Sequence, residues 1–148
     1  MSTTSSLDAV KIQARAVIPI VKALEKKMGK NAAHELVADA IAESWADHMV
    51  TRQSSGHDVA SHPRTAGESG FPVQTIIAKD TDNEYAVNMT QCDYADYFRK
   101  IGEPEVGALL TCAVDYAVEA RMRPDWSFSR SQTLMQGADF CDFCWTRK

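Results

Sequence analysis

The sequence contains no apolar run approaching the roughly 18 residues that a membrane span requires, so no membrane partner is expected. It opens on a short polar tail, Met1 to Ser6, without a charged-then-apolar leader. Its four cysteines are therefore expected as thiols in a reducing, cytoplasmic compartment. Nor is there an excess of basic charge. The 20 acidic and 16 basic residues leave a net charge of −4, and the Lys and Arg are scattered, which speaks against nucleic acid as a partner. A glycine-rich phosphate loop, an HExxH helix, a GxSxG elbow and an EF-hand loop are all missing, so nucleotide chemistry is disfavoured and no cofactor is expected. What is present is 148 residues, 45% of them hydrophobic, enough for one globular domain whose core needs no disulfide or structural metal.

Apolar periodicity orders the chain. Val10, Ala14, Val17, Val21, Leu24 and Met28 recur every three or four residues, predicting an amphipathic helix from Leu7 to Met28. Pro19 inside it predicts a kink or an early break, Gly29 a stop, and Asn31 a cap for the next helix. That second helix runs to about Arg52, with Ala33, Leu36, Val37, Ala40, Ile41, Ser44, Trp45, His48 and Met49 on one face. Residues 53–72 are rich in Ser, Gly, His and Pro without an apolar period, and are expected to be a loop or lid. Val73 to Ala78 and Tyr85 to Thr90 flank a turn-like Asp80-Thr81-Asp82-Asn83 and read as a hairpin. Cys92 to Ile101 reads as a short helix stopped by Gly102. Pro104 then starts another, striped by Val106, Leu109, Leu110, Ala113, Val114, Ala117 and Val118. Trp126 to Trp145 reads as two strands; with Gly137-Ala138 as a two-residue loop, Thr133 pairs with Asp142 and Arg130 with Trp145. The expected fold is α+β, an antiparallel sheet of two hairpins covered by amphipathic helices.

Cys112 and Asp115 stand three apart on the Pro104 helix, with Glu119 on the same side. A thiol beside a carboxylate can act as nucleophile and proton acceptor, or the thiol can pack while the acids meet solvent. Cys141-Asp142-Phe143-Cys144 has C-x-x-C spacing, but strand alternation sends its two thiols to opposite faces, which disfavours a redox pair and a metal site. Arg130 can grip a carboxylate and Asp142 a cationic group, or the two can brace the hairpin internally. Of the histidines, His34 is expected on an exposed helix side and His48 at the core edge. His57 and His62 fall in the polar loop.

The ordered set Cys92-Asp93-Tyr94-Ala95, Gly102-Glu103-Pro104-Glu105-Val106-Gly107, Cys112 with Asp115, Arg130, Thr133-Leu134, Gly137 and Cys141-Asp142-Phe143 resembles the L-2-amino-thiazoline-4-carboxylic acid hydrolase family. Ile12-Gln13-Ala14-Arg15 with Pro19 and Gly29 resembles that family's opening helix, and Cys144 departs from its pattern. The resemblance implies hydrolytic opening of a small ring at a C=N carbon between heteroatoms, a C–N bond of a cyclic amidine or imine. The parent conversion takes an aminothiazoline carboxylate to a carbamoyl-cysteine. On that basis Cys141, then Cys112, are the candidate nucleophiles, and Asp142 or Asp115 moves protons. Arg130, Thr133, Cys92 and His48 are the expected substrate contacts, and no metal is required. The alternative is a small-molecule binding or sensing protein on the same scaffold. The apolar faces of the first two helices lead us to expect a homo-oligomer.

Overall fold

A computed structural model describes residues 4–54, 63–64 and 72–148, and their architecture is α+β. The helix α1 (Ser6–Met28) is capped by Ser5, whose hydroxyl accepts the Asp8 N–H at 3.1 Å. The helix does not break at Pro19. Pro19 and Arg15 both lie on its solvent side, where water can serve the Arg15 carbonyl that the missing N–H would have used. Gly29, at φ 88°, ends α1, and α2 (Lys30–Ser54) follows at once, so Asn31 lies inside the second helix and does not cap it.

The buried side of α2 also differs from the expected one. It is formed by Ala33, Val37, Ala38, Ile41 and Ala46, while Leu36 is 52% exposed and His48 lies at the surface. Alanines occur all round this helix and blur its apolar period. The small ones meet the neighbouring helices, where a close approach needs little side-chain volume. His34, expected outside, is half-buried and meets Glu25 Oε1 at 2.7 Å through Nε2. Apart from residues 53 and 54, at the end of α2, and 63, 64 and 72, the expected polar lid, with His57 and His62, lies outside the described residues.

The strands β1 (Val73–Asp80) and β2 (Glu84–Cys92) form the first hairpin, followed by α3 (Asp93–Lys100), α4 (Pro104–Gly107), a π turn (Ala108–Cys112), α5 (Val114–Met122), β3 (Trp126–Ser129) and β4 (Cys141–Arg147). All pairings are antiparallel in the order β1-β2-β4-β3, so the two hairpins join through β2 and β4, with Tyr85 opposite Trp145. The second hairpin departs from expectation. Phe128 pairs with Trp145 and Ser129 with Cys144, two residues away from the expected register, and residues 130–140 form an irregular connection containing a 3-10 turn (Leu134–Gln136). The cause is local. The Asp142 carboxylate takes the N–H groups of Ser131 and Gln132 at 2.9 and 2.8 Å, drawing them out of the ladder. Thr133 caps the 3-10 turn and Gly137, at φ 95°, closes it.

Two apolar clusters result. One, between the helices, contains Ala14, Val21, Ala95, Phe98, Val106, Leu109, Leu110 and Met135. The other, between α5 and the sheet, contains Tyr85, Val87, Trp126 and Trp145 with Phe128 and Phe143 against them. Gly107 is the tightest point of the first: a Cβ there would stand 2.7 Å from the Phe98 Cβ. Gly107→Ala should therefore lower stability by about 1–3 kcal/mol, outweighing the roughly 1 kcal/mol that alanine gains in helix propensity. A chemical denaturation midpoint equal to that of the parent would refute this packing account.

Candidate functional site

The helical segment 104–122 is not one regular helix. At the π turn the Ala113 N–H reaches back five residues to the Ala108 carbonyl at 2.8 Å, and the Thr111 hydroxyl donates to the Gly107 carbonyl at 2.9 Å. Wider turns of this kind offset the faces before and after them. Val106, Leu109 and Leu110 are accordingly buried, while Ala113, Val114, Ala117 and Val118 are only half-buried. The offset turns Asp115 to the start of the 130–140 connection, where Arg130 meets it.

Arg130 Nη1 donates to Asp115 Oδ2 at 2.5 Å and Nη2 to the Cys112 carbonyl at 3.1 Å. The guanidinium lies 5.7 Å from the Tyr116 ring centre and 5.2 Å from that of Phe143. Tyr116 in turn donates its hydroxyl to the Arg130 carbonyl at 3.0 Å, so side chain and backbone are both held. The Arg130 side chain is 8% exposed and that of Asp115 28%. Burial raises the Asp115 carboxyl to about 6; the charge and hydrogen bond of Arg130 work against the rise, and Glu119 adds to it. Glu119 is engaged one turn on, accepting from Arg123 Nη1 at 2.6 Å and Trp145 Nε1 at 2.8 Å.

The thiols of this neighbourhood are shifted upward. Burial pushes Cys112 up to about 12, and also raises Cys141 and Cys92. Cys141 is buried and its sulfur accepts the Leu134 N–H at 3.2 Å. Cys92 precedes α3 and is half-buried. Cys141 contributes to the rise at Cys92, and Cys92 to that at Cys112, so the three thiols share one neighbourhood. Cys144 points away, toward Glu84. For Asp142, burial would raise the carboxyl, but the Ser131 hydroxyl and the Gln132 and Ser131 amides outweigh it and hold it below the ordinary value. Thr133 is buried and its hydroxyl donates to Gln136 Oε1 at 2.9 Å.

The structure thus brings Cys112, Asp115, Arg130 and Cys141 together, with Cys92 beside them. Asp142 and Thr133 shape the connection that carries Arg130. His48 is not brought to this cluster: it is exposed on α2, edge-on to Trp45 with ring centres 5.5 Å apart, because the buried side of α2 is turned away from it. Tyr116 was not singled out from sequence, since nothing marks a partnership with a residue fourteen positions later. Where β3 ends at Ser129, an open groove of about 310 Å³ runs past Asn88, Tyr116, Arg130, Asp142, Phe143 and Cys144. Among the described residues, no three His, Cys, Asp or Glu side chains are grouped to hold one metal ion, and no helix is long and apolar enough to cross a membrane.

The profile of the L-2-amino-thiazoline-4-carboxylic acid hydrolase family matches residues 9–145, nearly the whole chain. The chain belongs to that family. No curated protein matches it. Among solved structures, it is similar to trafficking protein particle complex subunit 3 from Naegleria fowleri covalently bound to palmitic acid, at 12% identity and a TM-score of 0.51, covering 93% of this chain and 96% of that one. It is also similar to the phenol-responsive sensory domain of the transcription activator PoxR with phenol, at 12% identity and a TM-score of 0.50, covering 89% and 73%. At such identity the likeness is one of fold.

For this member of the hydrolase family, the Arg130–Asp115 pair makes a measurable claim. Arg130→Gln removes the charge and hydrogen bond that lower Asp115, so its titration midpoint should move up from about 6. With a folded value raised above the ordinary 3.8, the stability tied to this proton is fully present below about 3.8 and lost as the pH rises through about 6. Carboxyl-carbon NMR of parent and variant checks both values; a midpoint that fell or stayed fixed in Arg130→Gln would refute the pairing.

Proposed function

We propose that this chain opens a small heterocyclic ring by adding water at an amidine-type carbon, with the groove at Arg130 as its site. The observation that carries the proposal is the Arg130–Asp115 pair, set between Tyr116 and Phe143 at the groove, in a chain of this hydrolase family. The two rings offer faces to a planar heterocycle, and Arg130 offers a guanidinium to a substrate carboxylate. A carboxyl near 6 exchanges its proton readily at neutral pH, which suits Asp115 to serve the tetrahedral adduct and the departing heteroatom.

Two points refine the expectation from sequence. The raised thiols of Cys141 and Cys112 favour direct addition of water over a covalent thiol adduct, with both cysteines packing behind the site. The bond to be broken depends on which atom of the parent product carries the carbamoyl group. A 2-aminothiazoline carbon carries two nitrogens and one sulfur; if the carbamoyl group stays on nitrogen, carbon and sulfur separate, and if it stays on sulfur, carbon and the ring nitrogen separate. The C–N bond expected from sequence is the one that opens in the second case, and C–S in the first.

Likeness in fold to the phenol-responsive domain favours a second reading, in which the same groove binds a small ring without turning it over. One assay separates them. The purified protein, with chelator present, is incubated with aminothiazoline, thiazoline, imidazoline and hydantoin carboxylates, and ring opening is followed by mass spectrometry. A product heavier by one water is expected, with a loss of about a hundredfold in Arg130→Gln, the scale of a misplaced substrate. Removing a covalent nucleophile costs on the order of a millionfold. Cys141→Ser should instead stay within about tenfold of the parent. Binding without product across the panel would replace this proposal with the second reading.

A further inference from the structure

Arg130 has little freedom. Its guanidinium lies between the Tyr116 and Phe143 rings, one nitrogen bonded to Asp115 and the other to the Cys112 carbonyl, and its own carbonyl is held by the Tyr116 hydroxyl. A carboxylate arriving from the groove therefore finds a cation that cannot swing out to meet it and that already has an anion. Among the described groups no second free cation faces this point. Glu119, on the same helix as Asp115, is neutralised by Arg123; Cys112 in the π turn and Cys141 on β4 are neutral thiols; α2, also packed on α5, turns Glu43 and Asp47 to Arg121. Asp142, in the groove wall, has its carboxylate filled by Ser131 and Gln132. Two carboxylates sharing one guanidinium repel each other, and the arrival of the second favours protonation of one of them.

We propose that a carboxylate-bearing substrate takes the place of Asp115 on Arg130, and that Asp115 gains a proton as it is released and becomes the acid of the ring-opening step. This rests on the reading of the groove as the substrate site. In the step itself, written for a product that carries its carbamoyl group on nitrogen, a water oxygen bonds to the amidine carbon and the carbon–sulfur bond breaks with its electron pair passing to sulfur. Asp115 gives its proton to that sulfur, one proton of the added water returns to the Asp115 carboxylate, and the other passes from the new C–OH to the ring nitrogen as the C=N bond gives way to C=O and N–H. Substrate and one water are consumed, and the protein ends as it began. Arg130 works against the rise at Asp115, so losing that partner moves the carboxyl further up and favours its protonated form.

The exchange predicts that carboxylates bind with uptake of about one proton, and that their affinity falls about tenfold for each pH unit above the free value of Asp115. The test is isothermal titration of the full chain near neutral pH, in two buffers of different ionisation enthalpy. The probes are an aromatic aminothiazole carboxylate, which resists opening, and its neutral carboxamide. Proton uptake with the carboxylate and none with the carboxamide is expected, and Asp115→Asn should bind the carboxylate with neither uptake nor the loss of affinity at higher pH. Carboxylate binding without uptake, or equal uptake in Asp115→Asn, overturns the exchange while leaving the groove as the site. Failure of both probes to bind overturns the groove reading and the exchange with it. The comparison of the two probes on the parent protein decides the matter even where the variant does not fold.

Discussion

One cation holds the two layers of this molecule in register. Arg130 leaves the end of β3 and reaches the helical layer at two points, the Asp115 carboxylate and the Cys112 carbonyl, while its rings of contact belong to both layers, Tyr116 to α5 and Phe143 to β4. A buried ion pair of this kind adds little net stability, because taking two charges out of water offsets most of their attraction. Its effect is directional instead. Sliding α5 along the sheet, or turning it, would strand a desolvated guanidinium.

The rest of the site is arranged to keep that cation in place. Asp142 gathers the amides of Ser131 and Gln132 and so stops the second hairpin from zipping further, which leaves Arg130 at the mouth of a groove and out of a ladder. Glu119 repeats the pattern one turn along α5, joined to Arg123 and to the indole of Trp145, so the helix meets the aromatic side of the sheet through two polar ties set among rings. Apart from the Glu119–Arg123 pair, the polar groups here find partners ten or more residues away along the chain. Only the Arg123 Nε is left buried without a partner among the described side chains.

That distance decides what could be read from the sequence. The first helix, the first hairpin, the Gly102 stop and the Pro104 start are local events, and periodicity and turn chemistry disclose them. The order of elements, and with it the α+β class, follows from the same signals. Three features were not legible. The face of α2 was obscured because alanine occupies nearly every side of it. The π turn leaves no composition signal, since Ala108 to Cys112 would suit a regular helix. The register of β3 on β4 turned on whether Asp142 would prefer two loop amides to its strand partner, a competition between a side chain and a ladder that spacing does not resolve. At the site, Cys112 with Asp115 was visible as a helical neighbour pair, and Arg130 as a candidate anion grip; that the two belong together was not, because the pair closes across fifteen residues and a change of layer.

The π turn also bears on how this helix tolerates changes of length. Each residue of an α-helix advances about 100° around the axis, and a π turn spends one residue more on about the same rotation, so deleting a single residue between Ala108 and Cys112 would let the wide turn relax into ordinary helix and keep Asp115 facing Arg130. Substitutions in that stretch leave the angle untouched. A one-residue deletion does so as well, and the segment therefore acts as a reserve of length in which the helix has absorbed one residue without turning its carboxylate away.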